Sequence, residues 1–232
     1  MKKGDLYRIF LVAVFLAFWV WAAINPKFPH DWLLENYLIF IFVPLIILAG
    51  FYFRLSNLSY TLITIFMVLH IIGSHYNYAE VPFGYILQAW FHADRNMFDR
   101  LVHFSFGFLL AYPIREVFLR VARVKGFWGY YLPFDITLAF SAAYEIIEWV
   151  TAARVDASAG LAFLGAQGDI WDAQKDMLMA GIGALVAMGV TFLINMGLQK
   201  GFWKEMKESF KISKGDEPLG EVRLKEMLKG KR

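Results

Sequence analysis

The stretch Asp176–Leu198, DMLMAGIGALVAMGVTFLINMGL, settles the class of fold. After its opening aspartate it runs without a single charge to Leu198. At about 1.5 Å per residue such a run spans the roughly 30 Å hydrocarbon core of a bilayer. A segment surrounded by lipid must satisfy its own backbone N–H and C=O groups, so a continuous run of this kind is a helix. Five further apolar runs lie upstream, at Tyr7–Ile24, Leu38–Phe53, Leu58–Ser74, Leu101–Phe118 and Phe134–Thr151. The second and third are short, and Leu33–Tyr37 or the flanking aromatics are expected to extend them. With 59% hydrophobic residues and a mean hydropathy of +0.48, the 232-residue chain is more apolar than a soluble core of its size requires. The expected fold is all-α: a polytopic bundle of six transmembrane helices over residues 1–198, then a basic amphipathic tail over 199–232.

The placement of Lys and Arg gives the orientation. With the N-terminus inside, 18 basic residues fall on the inner side and only Lys27, Arg95, Arg100, Arg154 and Lys175 on the outer side. That bias predicts cytoplasmic N- and C-termini. Against 9 inner and 11 outer acids, the inner side carries +9 and the outer side −6, a separation hidden by the net charge of +3. A basic inner face suits anionic headgroups, and an acidic outer face draws cations. The expected location is the bacterial inner membrane, with membrane lipids and no nucleic acid as partners.

The amino-terminal run ends in Trp21, Ala22 and Ala23, but its length and poor cleavage-site chemistry favour a retained span over a secretory signal. No cysteine is present, which excludes disulfides, thiolate metal sites and iron–sulfur clusters. The segment Ala79–Phe91 is too apolar for water and too short to span, so an interfacial helix or re-entrant cover is expected. Ala153–Gln167, rich in Ala and Gly, is expected on the same surface. In the tail, Phe202, Trp203, Met206 and Phe210 predict an amphipathic helix on the inner leaflet, followed by a turn at Gly215–Gly220 and a short helix.

Ionisable residues within apolar stretches are costly, about 2.5–3.5 kcal/mol each on insertion scales, and mark functional sites by default. Asp99 and His103 are four apart at the start of the fourth span and share a helix face, which suits a metal ligand pair or a proton-transfer pair. Glu145 and Glu148 lie three apart on the fifth, too close and too deep for both to stay charged without a cation, a basic partner or water. Arg100 or Lys175 reaching down is the structural alternative. Asp169, Asp172 and Asp176 follow a three-and-four spacing expected on one helix face, after Gly168 and beside Gln174. Acids at a helix start also complement its dipole, which is a sufficient account of Asp169 and Asp99. His70, four residues before Ser74 on the third span, is a second-rank candidate, as are Asp169 and Gln174.

The strings GSHYNYAEVP (Gly73–Pro82), DRLVHFSFGF (Asp99–Phe108), AFSAAYEIIEW (Ala139–Trp149) and GAQGDIWDAQKDM (Gly165–Met177) resemble the YjdF-like bacterial inner-membrane proteins, over roughly Leu33–Leu198. More distantly, Asp99 with His103, Glu148, and Asp176 with Gly183 resemble VanZ-like membrane proteins. Ala180 stands where that pattern usually has Asn, and Thr151 where it has Gln. The broader resemblance implies an association with reduced susceptibility to a lipid-tailed glycopeptide antibiotic, without a defined reaction.

Two functions follow as expectations. In one, Asp99, His103, Glu145, Glu148, Asp172 and Asp176 hold a divalent metal (Mg, Mn, Ca or Zn), and His103, Glu148 and Asp176 act on a lipid-linked or envelope amphiphile. In the other, the cluster is a non-catalytic pocket for a lipid or hydrophobic ligand, or a structural polar knot. Whether the protein is an enzyme is left open by the sequence.

Overall fold

The computed structural model describes residues 3–154, 160, 164, 166–212 and 219–230, and among them every regular element is helical. In chain order these are α1 (Lys3–Ala23), α2 (Pro29–Tyr52), α3 (Asn57–Tyr76), a 3-10 turn (Tyr78–Glu80), α4 (Pro82–Phe91) and α5 (Phe98–Arg120). There follow α6 (Trp128–Ala152), α7 (Asp172–Leu198), α8 (Phe202–Glu208) and α9 (Leu219–Lys229). Five helices, α1, α2, α3, α5 and α7, are long and apolar enough to cross a bilayer. Helix α6 is as long, at 25 residues, but carries Asp135, Glu145 and Glu148 and stands outside that set.

Several helices run past the ends expected from the apolar runs. Helix α2 begins at Pro29, nine residues before Leu38, because proline's fixed φ suits a first turn and its missing N–H would be unpaired there anyway. The extension draws Glu35 and Asn36 into the helix, both buried. Helix α3 starts at the cap Ser56, whose side chain accepts from Ser59 N at 3.1 Å. Helix α7 starts at Asp172, so Asp169 stands in the preceding turn and not on the helix face expected for it. The backbone is left-handed at Gln167 (φ 50°) and Gly168 (φ 87°), and the Asp169 carboxylate then accepts from Trp171 N at 3.1 Å, closing a local turn in place of a helical one.

Helix α5 is the centre of the bundle, packed against α3, α6 and α7, while α1 packs on α3. The tightest crossing is α5 on α7. A Cβ at Gly107 would fall on the carbonyl of Ala180, and one at Gly183 on the carbonyl of Phe104. Small residues there let the backbones approach closely, which in lipid gains van der Waals contact without a hydrophobic drive. Asp176, Ala180, Gly183, Ala184 and Ala187 lie on one buried stripe of α7, facing Gly107 and Ala111 of α5. Because the two helices begin at the same end of the bundle, this register brings their first turns, and the acids they carry, together. By contrast, only 11% and 17% of the most apolar windows of α1 and α2 are buried, so their surfaces are left for lipid.

The segment expected at the interface forms the 3-10 turn and α4, with Phe83, Tyr85, Ile86, Trp90 and Phe91 exposed. Of the Ala153–Gln167 connection, residues 155–159, 161–163 and 165 lie outside the described residues, as does most of the turn expected at Gly215–Gly220. In the tail, α8 docks on the bundle: Gly126 N donates to Glu205 Oε1 at 3.1 Å, Trp128 Nε1 donates to the Ser209 carbonyl at 2.9 Å, and Phe202 is buried.

Candidate functional site

At the end of the bundle where α5 and α7 begin and α6 ends, the acids meet two arginines. Arg95, just before α5, bonds Asp99 at 3.1 Å and also contacts Asp172. Arg100, one turn further, reaches Asp172 at 2.5 Å, Asp169 at 3.2 Å and Asp176. Asp172 Oδ1 is therefore shared by both guanidiniums. Asp169 is further bonded by Lys175 at 2.7 Å, and that hydrogen bond holds its carboxyl below the usual range.

Two loops carry these groups and are clamped to each other. Asn96 N donates to Gln167 Oε1 at 2.9 Å, and Gln167 Nε2 donates back to the Asn96 carbonyl at 3.3 Å. The Asn96 side chain also accepts from Phe98 N, the first N–H of α5, at 3.0 Å and donates to the Val81 carbonyl at 3.0 Å. Gly84 leaves the room that Asn96 needs, since a Cβ there would collide with its amide oxygen.

One turn deeper, Asp99, His103 and Asp176 bring one ligand atom each to within 4.8 Å of one another. His103 Nε2 lies 3.5 Å from Asp99 Oδ1 and 3.7 Å from Glu145 Oε1. That Glu145 oxygen is buried and has no hydrogen-bond partner. A buried carboxylate oxygen without a donor is expensive, of order 1–3 kcal/mol or more, so it is a place where a cation or proton gains most.

A second polar group adjoins the first. Tyr144 Oη donates to Glu35 Oε2 at 3.0 Å and also lies against Glu148, which in turn faces Glu35 and Glu145. Nearby, Tyr78 Oη lies 2.5 Å from His70 Nδ1, and His70 Nε2 lies 3.2 Å from the Glu35 carbonyl. A carbonyl only accepts, so the proton is on Nε2 and Nδ1 accepts from Tyr78. Burial holds the Tyr78 hydroxyl well above its usual pKa, which keeps it a donor. Among the described residues around the site, eight carboxylates (Glu35, Asp94, Asp99, Glu145, Glu148, Asp169, Asp172 and Asp176) stand against three basic side chains, Arg95, Arg100 and Lys175.

A model of the family described as predicted membrane protein (DUF2238) matches residues 7–196. The chain belongs to that family. It is 39% identical to the inner membrane protein YjdF of Escherichia coli (strain K12) over 170 residues, which cover 73% of this chain and 81% of the relative. No solved structure matches it. The YjdF-like resemblance carried by the four strings is thus shown, and this DUF2238 chain is a membrane protein.

Of the residues expected at the site, Asp99, His103, Glu145, Asp172 and Asp176 converge directly, and Glu148 joins through Tyr144 and Glu35. Asp169 sits at the outer edge with Lys175, and Gln174 is exposed on α7. His70 is buried on α3 with both ring nitrogens engaged, which leaves it no free lone pair for a metal. Sequence reasoning missed Glu35, Tyr144 and Arg95. Arg95 precedes Asp99 by four residues, a helical ion-pair spacing that was there to be read. Glu35 lies within Leu33–Tyr37, the stretch expected to extend the second span, where a single acid reads as an ordinary helix-end residue.

Proposed function

We propose that this protein is a six-span inner-membrane protein with both termini in the cytoplasm, whose acidic and histidine cluster faces the outer leaflet and binds a divalent cation. The span count takes α6 as the sixth crossing. Its packing against α5 and α7, both long enough to cross, supports that count, as the bias of basic residues supports the orientation and the inner-membrane name of the Escherichia coli relative supports the location. Residues 1–198 are then the membrane domain and 199–232 a cytoplasmic tail that α8 anchors.

The observation that carries the cation reading is the meeting of Asp99, His103 and Asp176 within 4.8 Å beside the unpaired oxygen of Glu145. Three carboxylates and one imidazole suit Mg, Mn or Ca, and the histidine admits Zn. Such an ion polarises a phosphoryl group or activates water, with His103, Glu148 and Asp176 beside it to move protons and orient a lipid-linked or envelope amphiphile. Asp172, whose Oδ1 is taken by Arg95 and Arg100, supports the site from behind.

The test is elemental analysis of the purified full chain. One divalent ion per chain is expected, lost in Asp176→Asn and Glu145→Gln while the far-ultraviolet spectrum persists. Metal-free wild type that is fully folded and gains no ion on titration overturns the reading.

A second reading is favoured by the arginines. Asp99, Asp172 and Asp176 each already touch a guanidinium, so the cluster also works as a non-catalytic polar knot or ligand pocket that ties α5, α6 and α7. It predicts unchanged function in Glu145→Gln and Glu148→Gln.

A further inference from the structure

Above the cluster, between the loop that ends in Arg95 and the turn that holds Asp169, lies an open cavity of about 420 Å³. Arg95, Arg100 and Lys175 line it, together with Gln167 and two acids, Asp94 and Asp169. The arginine side chains are only 9% and 7% exposed, so they form a fixed floor, while Lys175 is 52% exposed and stands at the rim. The acids that restrain the arginines, Asp99, Asp172 and Asp176, are not part of the wall.

Asp169 occupies this cavity as an anion would. Its carboxylate is held between Lys175 at 2.7 Å and Arg100 at 3.2 Å, and it is the most exposed of the four aspartates in the arginine network. It is carried by a turn, not a helix, next to Gly168, whose position is open to space. With the Asp169 carboxylate displaced, Lys175 and one N–H of Arg100 are released toward the cavity, while Arg95 stays paired with Asp99 and Asp172, and Arg100 with Asp172 and Asp176.

The walls lead directly into apolar aromatic surface. Trp90 and Phe91 end α4 just before the arginine loop, and Ile170 and Trp171 follow Asp169; they are 69%, 68%, 84% and 58% exposed. Exposed tryptophans beside long apolar helices sit at headgroup depth, so the cavity mouth opens where lipid phosphates lie.

We propose that this cavity is a headgroup site for a phosphate-bearing lipid, in which the lipid phosphate replaces the Asp169 carboxylate between Lys175 and Arg100. Asp169 takes one N–H of Arg100, from Nη2, and the Lys175 ammonium, and phosphate oxygens accept the same two charge-assisted bonds. The volume falls within the 300–1,000 Å³ usual for small-ligand sites. This rests on the reading of the adjoining cluster as a site for an envelope amphiphile. It places the phosphate one turn from His103 and Asp176, where a bound cation would meet it.

The test uses the full chain in a neutral detergent, titrated with short-chain phosphatidic acid, short-chain phosphatidylcholine or inorganic phosphate. Saturable binding of phosphatidic acid is expected, with weaker binding of the zwitterion and none of free phosphate in the same range. Asp169→Asn removes the internal competitor and tightens phosphatidic acid binding by about two- to fivefold, and Lys175→Gln weakens it by about the same factor, as befits one partly exposed ion pair. A purely structural Asp169 would give unchanged or weaker binding on substitution, and that result overturns the proposal. Equal binding of inorganic phosphate overturns the lipid source and leaves a soluble phosphate site. Metal content, read on the same samples, separates the two proposals: metal-free protein that shows the opposed Asn and Gln effects sinks the cation alone, and metal-loaded protein without them sinks the headgroup site alone.

Discussion

Two carboxylates in long helices, Glu116 near the end of α5 and Glu145 on α6, are 13% and 9% exposed and have opposite surroundings. Glu116 accepts from Ser56 N at 2.9 Å, Ser59 Oγ at 2.6 Å and Arg120 Nη1 at 2.6 Å, and so fastens the start of α3 to the end of α5. Glu145 faces His103 at 3.7 Å, and its Oε1 has no hydrogen-bond partner. A carboxylate kept for structure is surrounded by donors, as Glu116 is. One that keeps an oxygen open in a buried place costs stability and is retained for something else. The difference sets a carboxylate enclosed by donors at the Glu116 end against one with an open oxygen at the Glu145 end.

The largest effect tests whether the Glu145 end depends on its arginines. Arg100 contacts three aspartates, so Arg100→Ala leaves buried negative charge uncompensated and is expected to cost about 3–5 kcal/mol, seen as a loss of folded protein on heating in detergent. A loss below about 1 kcal/mol would show that the aspartates are neutralised by something other than this guanidinium. Next comes the direct contrast. Glu116→Gln weakens charge-assisted bonds to three donors and is expected to destabilise by about 1–3 kcal/mol, whereas Glu145→Gln, compared with wild type in chelator-treated, metal-free protein, is expected to leave the melting temperature unchanged or raise it. If the two substitutions cost the same, Glu145 is as structural as Glu116 and the contrast fails. A smaller effect is expected for Tyr144→Phe, which removes the donor to Glu35 and costs about 0.5–1.5 kcal/mol, with α2 the first helix to exchange amide hydrogens.

Much of this end of the molecule was legible in the sequence because bilayers make acids conspicuous. Asp99, His103, Glu145, Glu148 and Asp176 interrupt apolar runs, and a helical register brings them to one end. The arginines were harder to place. Arg95 and Arg100 lie at the start of a span, where a basic residue reads as an ordinary flank; the spacing of Arg95 and Asp99 signals their pair and Arg100 is expected to reach down, but nothing local says that both meet at Asp172. Glu35 was hidden by its position before the most apolar part of α2, and its burial depends on Tyr144, 109 residues away. The three-and-four spacing of Asp169, Asp172 and Asp176 was read as one helix face. The left-handed backbone at Gln167 and Gly168 gives Asp169 a different job, as a turn former and a ligand of Lys175.

That different job gives the smallest and most specific effect. The Lys175 hydrogen bond lowers the pKa of Asp169 in the folded protein relative to the unfolded chain. Its contribution to stability is therefore complete above the unfolded carboxylate value, about 3.9, and is lost as pH falls through the depressed folded value. Asp169→Asn should flatten the acid limb of a stability–pH curve slightly in that window and leave the curve near pH 7 almost parallel to wild type. The same substitution is the one expected to tighten phosphate-lipid binding, so the two measurements bear on a single contact. Under either role Asp169→Asn gives up its contacts to Lys175 and Arg100 at neutral pH, so binding decides between them. A carboxylate that only braces its turn gains nothing in phosphate-lipid binding on substitution, whereas one that stands in for a ligand gains affinity, because the Lys175 and Arg100 donors it releases are then met by the phosphate.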